Sequence, residues 1–158
     1  MKPRIVEIEP LALVGISRKM SFSDYRISEL WLDFQQRKKA ITRFVSRDLY
    51  SVVKYAEDHF EQFDPRKEFT RWAASLTDDL VPQGFESLVI EGGLYAVFDF
   101  KGSDPSIFTY IYQTWLPQSG FVLDNRHHFE VLGERYKNGS PDSEEEIWVP
   151  VRRKGDRE

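Results

Sequence analysis

One order of elements runs through this chain twice, and that repetition limits the folds open to it. LALVGISRKMS followed by SELWLDF (residues 11–34) matches LYAVFDFKGSD followed by YQTWLPQ (94–118) in outline, with Trp31-Leu32 and Trp115-Leu116 at corresponding helix ends. Each copy is followed by two β-rich stretches, first Tyr50–Tyr55 and Glu68–Ser75, then His127–Gly133 and Glu145–Val151. A repeated supersecondary unit of this kind predicts an α+β fold: two concatenated β-α-β-β modules related by a pseudo-twofold axis, with antiparallel sheets and the helices packed on one side. A chain of 158 residues suits one globular unit, residues 1–158, with module one over about 4–78 and module two over about 85–152.

The local signals agree with that order. Residues 4–20 read as extended and broken at Pro10, with Leu11, Leu13 and Ile16 as strand residues. Ser21, Ser23 and Asp24 offer caps for a helix that carries Ile27, Leu30, Trp31 and Phe34 on one face and ends near Lys39. EDHFEQFDPRK (57–67) is a loop, because Asp64-Pro65 resists regular structure. A strand pair over 86–101 with a turn at Gly92-Gly93 precedes a second helix from Pro105 to Trp115, which Asp104-Pro105 starts and Pro117 and Gly120 close. SPDSEEE (140–146) reads as a solvated hairpin loop whose acids are surface charge.

Composition removes several function classes. The net charge of −4 provides no basic field for phosphates, so direct nucleic-acid binding is not expected, and Arg37-Lys38-Lys39 and Arg152-Arg153-Lys154 read as solvated charge. Without cysteine there is no disulfide, thiolate metal site or cysteine nucleophile. His59, His127 and His128 lack metal-ligand spacing, since adjacent histidines on a strand face opposite ways, and no metal site is expected. Neither a G-x-S-x-G elbow nor a phosphate or dinucleotide loop is present, and no cofactor is expected. The N-terminus has no signal-peptide pattern and no apolar run reaches membrane-spanning length, so a cytoplasmic protein with no membrane association is the expectation.

What stands out is an excess of rings: 12 Phe, 7 Tyr and 4 Trp, more than a core of this size needs. Within HHFEVLGE, alternation puts His128, Glu130 and Leu132 on one strand face and His127, Phe129 and Val131 on the other. Glu130 is then either a solvated or ion-paired strand residue or a pocket acid beside aromatic walls, which is what a lipophilic cation requires. Trp72 and Trp148, on strands of opposite modules, are the preferred walls, followed by Trp31 and Tyr110 from the helices; each has core packing as its plain alternative. Asp99 is a weaker candidate acid that an exposed sheet edge would equally explain.

Taken together, Ser28–Phe34 (SELWLDF), Phe69–Ala74 (FTRWAA), Gly92–Gly102 (GGLYAVFDFKG), Thr114–Gly120 (TWLPQSG), Phe129-Glu130 and Ile147–Val151 (IWVPV) resemble the GyrI-like small-molecule-binding domains, which also serve as effector-binding modules of AraC-type and MerR-type multidrug-responsive regulators. The resemblance covers nearly the whole chain, implies the two-module fold and a ligand cleft between the modules, and lands the family's FE motif on Glu130. It leaves no room for a DNA-binding domain, so a stand-alone member is expected, one that binds a lipophilic, aromatic or cationic small molecule for sensing, sequestration or detoxification. Two alternatives come with it: a hydrolase of strained cyclopropane-bearing compounds with Glu130 as its catalytic acid or base, and a gyrase-inhibitor-like role with a protein partner.

Overall fold

In the computed structural model, which describes residues 2–41, 44–77, 81–137 and 139–155, the chain is α+β, and its strands form a curled, half-barrel antiparallel sheet. Strands β1 (Arg4–Ile8) and β2 (Leu11–Met20) are separated at Pro10, followed by helix α1 (Ile27–Arg37), β3 (Phe44–Lys54) and β4 (Phe69–Thr77). Strands β5 (Glu86–Ile90) and β6 (Gly93–Lys101) precede a second helical stretch, which passes from α2 (Ser106–Thr109) through a π-helical segment (Tyr110–Trp115) into α3 (Leu116–Gln118). Strands β7 (Phe121–Leu123), β8 (His128–Leu132) and β9 (Glu144–Arg153) complete it. The module boundary expected at residue 78 lies outside the described residues.

The strand order is β1-β6-β9-β8-β3-β4-β2-β5, with β7 on β9. Read inward from either edge, an outer strand is followed by the first, third and second strands of one strand-helix-strand-strand unit, so β3 and β8 meet at the centre. The two units therefore share one sheet, and their second strands form the seam.

Alternation along the strands sorts the core. Ile16, Val53, Phe69 and Ala73 face α1 and pack with Leu30 and Phe34, while Ala96, Phe98, Ile147 and Val149 face the second helix and pack with Ile107 and Ile111. Register puts both sets on the same face of the sheet, with one helix over each half and the central strands between them. A third cluster, on the opposite face, draws Leu13, Val52, Ala74 and Ile90 from one half and Tyr95, Val97 and Phe129 from the other, and the curl of the sheet encloses it.

Three local expectations are corrected. First, β5 and β6 do not pair with each other: β5 joins β2 and β6 joins β1 and β9, so Gly92-Gly93 carries the chain from one edge region of the sheet to the other. Gly93 has φ +137° and lies against Arg126, whose guanidinium donates to the carbonyls of Gly92, Leu94 and Val151 and sits 4.7 Å from the Tyr95 ring. Second, the residue preceding α1 is Arg26, with no side-chain cap; Ser21 Oγ accepts from the Asp24 N–H in a separate turn. Asp104 does accept from the Ser106 N–H at 2.9 Å, as expected at the second helix start. Third, that helix runs past Trp115 to Gln118, and the short strand β7 follows it.

Candidate functional site

The seam supplies the site. Ser51 of β3 stands opposite Glu130 of β8, with Val53 opposite His128, and on the next strand Arg71 of β4 stands opposite Val53. Glu130 is also paired with Ile147 of β9, which puts Glu145, two residues earlier on the same face, diagonal to it. Glu130, Glu145, Arg71, Ser51 and His128 consequently share the helix-side face at the middle of the sheet, between the two helices.

Glu130 is surrounded by protein on nearly every side yet is still touched by solvent. Burial pushes its pKa up, and the Arg71 guanidinium and a hydrogen bond with Glu145 oppose that rise. Burial raises Glu145 as well, and the neighbouring Glu130 charge and their mutual hydrogen bond add to it. Two carboxyls in hydrogen-bonding reach of each other hold one proton between them, and Arg71 favours the ionised form of Glu130, so the proton rests on Glu145. Arg71, 8% exposed, donates from Nη2 to Ser51 Oγ at 2.9 Å. Its Nε and the Glu145 Oε2 are buried without a partner, two open polar atoms beside Glu130.

Rings close the other sides. Tyr112, from the π-helical segment, shares a hydrogen bond of 3.0 Å with His128 Nδ1. Tyr55, which continues β3, meets His128 edge-on at 5.2 Å and stacks on His59 at 4.2 Å. Phe60, from the loop between β3 and β4, lies 4.8 Å from Tyr112 and stacks on His128 at 5.6 Å while remaining 43% exposed. Burial holds the His128 imidazole neutral, its pKa pushed down to about 3, and keeps the phenols of Tyr55, pushed up to about 12, and Tyr112 protonated. A π-helical turn inside a helix is a recurring device at functional sites, and here it carries the tyrosine that meets His128, two residues from Glu130 on the same strand face. Next to this cluster, a groove of about 450 Å³ runs between the Phe60 loop, Leu116–Pro117 and Phe121–Asn125, with His128 as the wall common to both.

The expected site residues separate. Trp72 and Trp148 project to the opposite face: Trp148 stacks on Phe129 at 5.0 Å and donates to Glu146, and Trp72 meets His127 edge-on, so the two do not wall the space over Glu130. The physical reason is alternation, because each is an immediate neighbour of a position that faces the helices. Trp31, on α1 itself, is half-buried edge-on against Phe34, and Tyr110 packs with the second-helix core. Asp99 is exposed and ion-paired with Arg4 at 3.0 Å. The acids of 140–146 are not all surface charge: Glu145 turns inward, whereas Glu146 joins Arg4 and Glu144 faces Arg135. Sequence reasoning passed over Glu145, Arg71, Tyr55 and Tyr112; the FTRWAA match contained Arg71, and the register of β9 against Glu130 is the signal that picks 145 from the run of three.

Comparison with known proteins adds the family. The chain superimposes on a crystal structure of a putative bacterial transcription regulation protein from Staphylococcus aureus MU50 (16% identity, TM-score 0.70, 96% of this chain and 99% of that one). It superimposes similarly on SAV2435 bound to tetraphenylphosphonium (18%, 0.69, 96% and 94%) and on the C-terminal domain of EcmrR (19%, 0.70, 96% and 98%). At these identities the likeness is one of fold. No curated protein sequence matches this chain significantly. Among the described residues no helix is long and apolar enough to cross a membrane. A family profile matches residues 1–152, nearly the full length described above, and the chain thus belongs to the family of the GyrI-like small molecule binding domain.

Proposed function

We propose that this protein binds a lipophilic aromatic cation on the helix-side face of the seam, with Glu130 as its charge anchor and the rings of Tyr55, Tyr112 and Phe60 as its contact surface. The observation that carries this reading is the acid pair itself. Two carboxyls on a buried strand face against the Arg71 guanidinium leave negative charge that no further cation among the described residues meets once the shared proton is lost, and ring faces beside it add about 0.5–2 kcal/mol each toward a cation. The tetraphenylphosphonium held by a protein of the same fold is a ligand of this chemistry. Phe60, half-exposed and stacked on the wall shared with the 450 Å³ groove, supports access from that groove.

Titration with tetraphenylphosphonium, followed by calorimetry, tests the reading. Saturable binding is expected, and Glu130→Gln is expected to weaken it on the order of 30-fold or more, since truncating one member of a desolvated charge pair costs about 2–5 kcal/mol. Unchanged affinity in that variant would remove Glu130 as the anchor.

A second reading, hydrolysis of a strained electrophile, is favoured by the same pair, in which one carboxyl holds a proton and the other is ionised. Incubation of the pure protein with a cyclopropane-bearing alkylating compound separates the two: binding alone returns the ligand intact, and hydrolysis yields a ring-opened hydrated product absent with Glu130→Gln.

A further inference from the structure

The charge balance around Glu130 narrows the ligand class. Among the described residues, the groups around the pair are Arg71 from β4, Tyr55 from the end of β3, His128 from β8, Tyr112 from the π-helical segment and Tyr136 from the turn after β8, with His59 of the β3–β4 loop stacked behind Tyr55. Arg18, opposite Arg71 on β2, is taken up by Glu29 at 2.8 Å and by Asp33 at 3.9 Å on α1. The three phenols are protonated and the imidazoles of His59 and His128 are neutral at physiological pH, each disfavoured in its charged form by burial. Among the described residues, what remains is Arg71, one carboxylate and one carboxylic acid, a site of zero net charge.

A cation entering such a site gains nothing from a pair that stays protonated and gains a full counter-charge from one that does not. We propose that Glu130 and Glu145 take up a monovalent aryl cation in exchange for the single proton they share, so that this site selects one positive charge and releases one proton. The inference rests on the cation-binding reading above and deepens it. With both carboxyls ionised and Arg71 in place, the site carries one net negative charge, the complement of a monocation; a dication would overfill it, and a neutral ring compound would leave the proton where it is. The open Oε2 of Glu145 and Nε of Arg71 are the polar atoms free to rearrange when the proton leaves.

The experiment uses the whole protein and tetraphenylphosphonium, titrated calorimetrically at about pH 7 in two buffers of different ionisation enthalpy and then over a pH series. About one proton released per ligand, with affinity rising close to tenfold per pH unit until the pair is ionised, is the expected result. Triphenylphosphine oxide, an uncharged aryl analogue, is expected to bind with no proton release and no such rise. In Glu145→Gln, Glu130 is already ionised against Arg71, so affinity for the cation should lose its pH dependence. Tetraphenylphosphonium that binds with equal affinity across the series and releases no proton overturns the exchange while leaving the cation-binding reading in place. A failure of the wild-type protein to bind it at any pH overturns both.

Discussion

At the scale of single residues, the seam holds two kinds of group whose protonation burial shifts in opposite charge directions, and stability should record both. His128 has a pKa near 3 in the folded chain against 6.5 when exposed, so between those values the unfolded chain binds more protons, and stability falls as pH drops below 6.5. The acid pair has the opposite sign. Glu145 is raised from 4.5 to about 8, so in that window the folded chain binds more protons and stability falls as pH rises. A stability maximum where the two limbs overlap and their slopes cancel, about pH 4.5–6.5, is expected for urea unfolding midpoints measured over a pH series. His128→Gln should flatten the acid limb and Glu145→Gln the alkaline one; limbs unchanged in both variants would mean that other groups set the profile.

At the scale of elements, close approach decides what the strands tolerate. A Cβ on Gly15 would collide with the Ala73 carbonyl oxygen and with Ala74, where β2 and β4 run against each other, so Gly15→Ala should cost about 2–3 kcal/mol in urea unfolding. Gly120→Ala, with nothing within 4 Å, should stay within about 0.5 kcal/mol and serves as its control. The elements themselves were largely legible, because periodicity is a local property. The face of α1 reads from Ile27, Leu30 and Phe34, and the inward side of β8 reads from the alternation around Glu130. Which strands pair was not local. β5 and β6 look like a hairpin around Gly92-Gly93, and what separates them is pairing with β2, β1 and β9 together with an arginine that reaches Gly92 from 34 positions along the chain. The same limit misdirected Trp72 and Trp148. Their composition suits a pocket, but only the register of β9 against β8 and of β4 against β3 reveals that they face away from Glu130, and that the middle glutamate of an acidic run faces toward it.

At the scale of the whole molecule, the two halves are joined in a way that a chain of two tethered modules would not be. β3 and β8 pair across the seam, and the cluster on the face away from the helices takes Tyr50 and Val52 from one half and Tyr95 and Phe129 from the other, with Tyr50 and Phe129 rings 6.1 Å apart. Each half also keeps a helix-side core of its own, around Phe34 in the first and Phe98 in the second. If the shared sheet and core dominate, loss of packing on one side must be felt by the other, because neither half can leave without exposing the common cluster. Phe34→Ala and Phe98→Ala, each removing a fully buried ring at a cost of about 3–5 kcal/mol, are therefore expected to shift one common unfolding transition rather than split it. Trp31 and Trp72 report on the first half and Trp115 and Trp148 on the second, so tryptophan fluorescence and far-ultraviolet circular dichroism should give coincident curves in both variants. A biphasic curve in either would show that the halves unfold independently, and a binding site built on the seam between them would then be lost at the first transition, before most of the secondary structure.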